Sequence, residues 1–294
     1  MAGAGWAAVV RRSCGGPDRV APKRRAQNAE RTVLFNRAAL AAPPLGDNDK
    51  PMPSPRTLKL TAAIVDLDGT MIDTVGDFEV ALNTMLAELG LPAVDRGFIA
   101  RTVGKGSEHL IRCTLAQVGA DLGANLGADS SLFEAAWAAY QRHYLAINGQ
   151  FSTVYPGVIE GLQNLADAGL ALACLTNKPG AFARPLLAAK GLDGFFVQVF
   201  GGDAFARKKP DPLPLLATCR ALGSLPARTL MIGDSANDAQ AARAADCPVV
   251  LLSYGYNHGR PVSAVGADAV IDRLDQLDLR RWSAAPAPAA GRSA

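Results

Sequence analysis

Hydrophobic positions along this chain follow two periods. Short continuous apolar runs recur at residues 61–65, 170–175, 195–200, 229–232, 248–252 and 269–271. Their length, their small and β-branched residues and the turn residues around them predict strands buried on both faces. Residues 157–168, 181–190, 213–222 and 239–245 lie between these runs and read as helices. Strands alternating with helices predict an α/β fold, a doubly wound parallel sheet of Rossmann-like form.

The alternation breaks once. After the first strand, Phe78, Leu82, Met85, Leu86 and Leu89 recur at helical spacing, and Gly90 suits a helix C-cap. Two further helices are predicted at about 108–118 and 130–147, with a glycine-rich connection between them. Residues 76–150 therefore read as an inserted all-helical domain, and residues 57–75 and 151–282 as the α/β core.

Composition matters most at the ends. Of 294 residues, 49% are apolar, enough for a substantial core. Residues 1–56 are instead basic, rich in Pro and Gly and without apolar periodicity, which predicts a disordered leader. Arg11 and Arg12 follow its short apolar run and no basic region precedes it, a poor fit to a secretory signal. A short polar lead into the first strand begins at Met52. The expectation is that residues 1–51 pack on nothing and that translation begins at Met52. Residues 283–294, rich in Ala and Pro, read as a disordered tail.

Net charge is only +3, so neither a nucleic-acid nor a membrane partner is expected. The chain has no apolar run of about 18 residues, the length of a membrane-spanning helix. Five scattered cysteines without a C-x-x-C pair argue against a disulfide framework or zinc site and fit a reducing cytoplasm. Cys174 reads as a small core residue. A monomer or homodimer is expected.

Candidate chemistry gathers where strands end. Asp66 and Asp68 are spaced by two and share a strand face. Two such carboxylates repel unless a cation or shared proton intervenes. Gly69 permits a sharp departure of the backbone, and the loop amides at Gly69 and Thr70 can face an anion. Thr176-Asn177, Lys208-Lys209-Pro210 and Gly233-Asp234 follow later strands, and ligands of such sheets bind at the strands' carboxyl ends.

These residue types suit phosphoryl transfer. A carboxylate can attack phosphorus and form an acyl phosphate that water later cleaves. The dianionic substrate repels that carboxylate, so a divalent metal is needed, and Asp66 and Asp234 offer hard oxygens suited to Mg2+. Thr176 offers a hydroxyl and Lys209 a point charge to a phosphoryl oxygen. Asp68 is the spare carboxylate for proton transfer. The glycine-flanked Gly104-Lys105-Gly106 loop precedes a predicted helix and suits anion contact.

Four segments carry a family resemblance. DLDGT at 66–70, LTN at 175–177, KKPDP at 208–212 and GDSAND at 233–238 resemble, in order, the four motifs of the haloacid dehalogenase superfamily in its phosphatase branch. The resemblance covers about 64–275 and implies that the inserted helices form a cap. It implies Asp66 as nucleophile and Asp68 as acid and base. It implies Mg2+ held by Asp66, Asp234 and the Asp68 carbonyl oxygen, and Lys209 and Thr176 clamping the phosphate. Asp238 supports the metal or the lysine. Within the superfamily, VGKGSEHLI at 103–111, VFGGDAFARKKPDPLPLL at 199–216 and SYGYNHG at 253–259 resemble the bacterial phosphoglycolate phosphatases, with Met71 where leucine is usual.

That resemblance implies a small phosphorylated acid as substrate. The alternatives are an amino-sugar phosphate, a sugar phosphate or pyrophosphate. A mutase is weakly disfavoured. A dehalogenase would need neither Asp68 nor Asp234, and an idle binding fold would not fill every catalytic position. Lys105 and Arg112 are the candidates for reading a substrate carboxylate.

Overall fold

The computed structural model describes residues 59–120 and 131–282. The leader, the connection within the helical insertion and the tail lie outside them. Among the described residues, six parallel strands form the central sheet: β1 (Ala62–Val65), β4 (Ala171–Leu175), β5 (Gln198–Phe200), β6 (Thr229–Gly233), β7 (Val249–Leu252) and β8 (Ala269–Ile271). Their order is β5-β4-β1-β6-β7-β8. The chain moves outward from β1 through β4 to β5, then returns to the other side of β1 at β6. That reversal beside β1 is the switch point at which such sheets open a crevice.

Side chains alternate between two core layers. Ala63, Val65, Leu172, Cys174, Leu230 and Ile232 face one layer. It is closed by α5 (Val158–Asp167) and α6 (Gly180–Ala189). Ala62, Ile64, Ala173, Leu175, Met231 and Val249 face the other. That layer is closed by α7 (Leu213–Ala221) and α8 (Ala236–Ala244). The four inner strands β4, β1, β6 and β7 are buried on both faces, so their runs read as continuously apolar, while the edge strands β5 and β8 are partly exposed.

The helical insertion leaves and rejoins the core through a two-stranded antiparallel ribbon, β2 (Ile72–Asp73) with β3 (Thr153–Val154). Among the described residues, four helices lie between them: α1 (Val75–Glu88), α2 (Arg96–Thr102), α3 (Ser107–Gln117) and α4 (Ser131–Ile147). They gather their own apolar cluster around Phe78, Leu82, Met85, Ile111, Tyr140 and Tyr144, joined by Phe182 and Tyr256 from the core. The buried Asp77 ties departure to return. Its Oδ2 accepts from the Gly149 amide at 2.8 Å and its Oδ1 from the Phe151 amide at 2.7 Å.

Several elements differ from the sequence reading. The ribbon and α2 were not predicted. The run at 195–200 divides into a single helical turn ending at Phe195 and a strand that starts only at Gln198. Helix α8 begins at Ala236 rather than Ala239, because Ser235 and Asp238 form a reciprocal capping box that starts the helix earlier.

Candidate active site

Strand β1 runs directly into Asp66, whose amide continues the ladder by donating to Ile232 O at 2.9 Å. The next residues fold into a tight turn, with the Met71 and Ile72 amides both donating to Leu67 O. Gly69 makes that turn with φ +82°. A Cβ at Gly69 would lie 2.3 Å from Asp234 Oδ2, so the close approach also requires glycine.

Lys209 is the hub of the carboxylates. Its Nζ lies 2.9 Å from Asp66 Oδ1 and 2.7 Å from Asp238 Oδ1, and it donates to Leu175 O at 2.8 Å. Asp66 Oδ1 is buried without a well-directed hydrogen bond, so the lysine meets it as an ion pair. Burial pushes the Asp66 carboxyl up to about 7, with Lys209 pulling it down and Asp238 pushing it up. Burial also raises Asp234 well above the usual carboxylate range, with Asp238 and Asp66 adding to the rise. Burial alone would lower Lys209, but Asp238 and Asp66 outweigh it and raise its pKa.

Asp234 is held by its neighbours. Its Oδ1 accepts from Thr70 Oγ1 at 2.8 Å and its Oδ2 from the Tyr256 amide at 2.5 Å. Asp238 Oδ2 accepts from the amides of Asp234 and Ser235 and from Ser235 Oγ. Asp68 points away from this group, its Oδ1 receiving Lys178 Nζ at 2.9 Å. Asn177 knits the roof to the floor. Its Nδ2 donates to Gly104 O at 2.9 Å and to Lys209 O at 2.8 Å, and its Oδ1 accepts from the Lys209 amide.

A cleft between core and helices is lined by Asp66, Asp68, Thr176, Asn177 and Lys178 below, and by Phe78, Val103, Gly104, Gly106, Ser107 and Leu110 above. Most site residues expected from the sequence meet around it. Thr70 instead turns its hydroxyl onto Asp234. Lys105 is exposed and is not among the lining residues. Arg112 pairs with Glu108 and stacks over Phe133. Lys178, Tyr256 and Asn237, which donates to Gly104 O at 3.3 Å, were missed by sequence reasoning. Lys178 carried one signal: it stands between a strand-end Thr-Asn and Pro179.

The profile of the haloacid dehalogenase-like hydrolases matches residues 60–246. The chain belongs to that family. Relatives of this hydrolase include the phosphoglycolate phosphatase of Thiobacillus denitrificans, 43% identical over 222 residues, covering 76% of this chain and 96% of that protein. The plasmid phosphoglycolate phosphatase of Cupriavidus necator is 42% identical, covering 80% of this chain and 98% of that protein. The crystal structure of a predicted phosphoglycolate phosphatase from Haemophilus somnus superposes with a TM-score of 0.69 at 30% identity, covering 74% of this chain and 95% of that one.

The hydrolase has the donors for a divalent cation. Carboxylate oxygens of Asp66, Asp234 and Asp238 lie within 4.8 Å of one another. Asp238 is engaged by Lys209, Ser235 and two amides, so Asp66 and Asp234 are the pair that could hold a cation. Their raised pKa values and the undirected Asp66 Oδ1 express an excess of buried negative charge that a cation relieves. The Asp68 side chain takes no part in this cluster, its Oδ1 being paired with Lys178 Nζ.

Proposed function

We propose that this hydrolase is a magnesium-dependent phosphatase of 2-phosphoglycolate, acting through a phosphoaspartyl intermediate. The observation that carries the reading is Asp66 at the end of β1, ion-paired with Lys209 beside Asp234 and open to the same cleft as Asp68. The names of the relatives support the substrate.

Mg2+ held by Asp66, Asp234 and the Asp68 carbonyl would neutralise the repulsion between carboxylate and phosphate. The chain's own residues do the rest. A carboxylate oxygen of Asp66 attacks phosphorus as the bond to the glycolate oxygen breaks. The electron pair leaves with that oxygen, and Asp68 protonates it. Asp68 then takes a proton from water, which attacks phosphorus and releases phosphate and Asp66. Lys209 balances charge throughout, and the Thr176 hydroxyl holds a phosphoryl oxygen, whereas the Gly69 and Thr70 amides, expected to face the anion, are spent inside the turn on Ile72 O and Leu67 O. Residues 76–150 act as a cap, with Gly104, Lys105 and Gly106 closing over the cleft.

A panel of natural phosphate esters with magnesium tests this reading. The highest kcat/KM is expected for 2-phosphoglycolate. A higher value for an amino-sugar phosphate, a sugar phosphate or pyrophosphate would overturn the substrate.

A further inference from the structure

Lys178 is a buried cation that the chemistry above does not use. Its side chain is only 1% exposed, yet it lines the cleft. Its Nζ donates to Asp68 Oδ1 at 2.9 Å and lies 4.3 Å from the ring centre of Phe78 and 4.7 Å from that of Tyr144. The two rings come from α1 and α4, so core and helices build this pocket together. An ammonium has three N–H donors. Lys209 donates to Asp238 Oδ1 and Leu175 O and is ion-paired with Asp66 Oδ1. Lys178 has one oxygen partner and two aromatic faces, which leaves it able to take a second anion.

We propose that Lys178 reads the carboxylate of the substrate, as a specificity-determining residue; this rests on the phosphoglycolate reading above. The acid that protonates a leaving oxygen sits within hydrogen-bond reach of it. In 2-phosphoglycolate one methylene separates that oxygen from the carboxylate carbon. A substrate poised against Asp68 therefore carries its carboxylate beside the cation paired with Asp68. The other basic candidates are worse placed. Lys105 is exposed, Arg112 is occupied by Glu108, and Lys209 serves the nucleophile. Among the described residues that line the cleft, Lys178 is the one with a positive charge. Phe78, Val103 and Leu110 supply apolar walls that reward neither a sugar hydroxyl nor a second phosphate.

The test compares wild type with Lys178→Met on three esters. These are 2-phosphoglycolate, ethyl phosphate, which lacks the carboxylate but keeps a poor leaving group, and p-nitrophenyl phosphate, which needs little protonation. Melting temperatures accompany the kinetics, and Lys178→Gln replaces Lys178→Met if the latter does not fold. The variant is expected to lose about tenfold to a hundredfold more in kcat/KM on phosphoglycolate than on ethyl phosphate, the range of a hydrogen bond between charged groups. Equal losses on those two esters, with a smaller loss on p-nitrophenyl phosphate, would overturn the inference and make Lys178 a positioning residue for Asp68. Equal losses on all three would overturn it in favour of a structural role. Wild type without preference for phosphoglycolate over ethyl phosphate would overturn the substrate reading and this inference together. A wild-type preference that survives the substitution would overturn this inference alone.

Discussion

At Gly69 the backbone itself makes the site. Gly69→Ala would place a methyl group into Asp234 at a positive φ. The expected cost is about 1–3 kcal/mol in urea unfolding, from strain at that φ, together with weaker magnesium binding by calorimetry. Unchanged magnesium affinity would argue that Asp234 is not a ligand. Asp68 offers a different test. Asp68→Asn keeps the backbone carbonyl but cannot exchange a proton, so turnover of 2-phosphoglycolate should fall at least about a hundredfold while magnesium still binds. Comparable turnover would remove Asp68 from proton transfer. Residues at this scale were legible where chemistry is local. The D-x-D-G-T run is readable because two aspartates spaced by two and a turn-forming glycine directly follow an apolar strand. Tyr256 was not legible: its hydroxyl reaches Asp73 and the amides of Thr74 and Val75, more than 180 residues earlier, and only tertiary folding brings them together.

Among the elements, the helical insertion depends on how its two ends are tied. Asp77 on α1 accepts both amides of the returning chain, Gly149 and Phe151. Asp77→Ala would deprive two partly buried amides of their acceptor. The expected loss is about 2–4 kcal/mol of stability, and faster hydrogen exchange is expected at the end of α4 and at β3. A loss below about 0.5 kcal/mol would mean that the tie is replaced by water. The long apolar helices α1 and α4 were readable because their periodicity persists over several turns. Helix α2 was not, since in its seven residues only Ile99 is buried and no period can repeat. The ribbon strands, two residues each, are set by their pairing rather than by sequence pattern.

Across the whole molecule, the sheet concentrates buried carboxylates at the carboxyl ends of its strands, and a bound cation would balance their charge. Asp234→Asn removes one of those charges. The metal-free variant should be at least as stable as wild type, while the stabilisation of about 2.7 kcal/mol expected for wild type at a hundred times the magnesium Kd should disappear. Thermal scans with and without magnesium check both halves. The architecture was legible because alternating strands and helices admit few parallel topologies, which bring strand ends 66, 176 and 234 to one edge. What the sequence could not yield was which cations serve which carboxylates, since that depends on Lys178 and Lys209 entering from loops after different strands. Among the described residues, no helix is long and apolar enough to cross a membrane. The central claim is that Asp66 attacks phosphorus. Its most direct test is hydrolysis of 2-phosphoglycolate with magnesium by wild type and by Asp66→Asn, side by side. The account predicts turnover by wild type and none above background by the variant, because an amide cannot serve as the nucleophile; near-normal turnover by Asp66→Asn would contradict it.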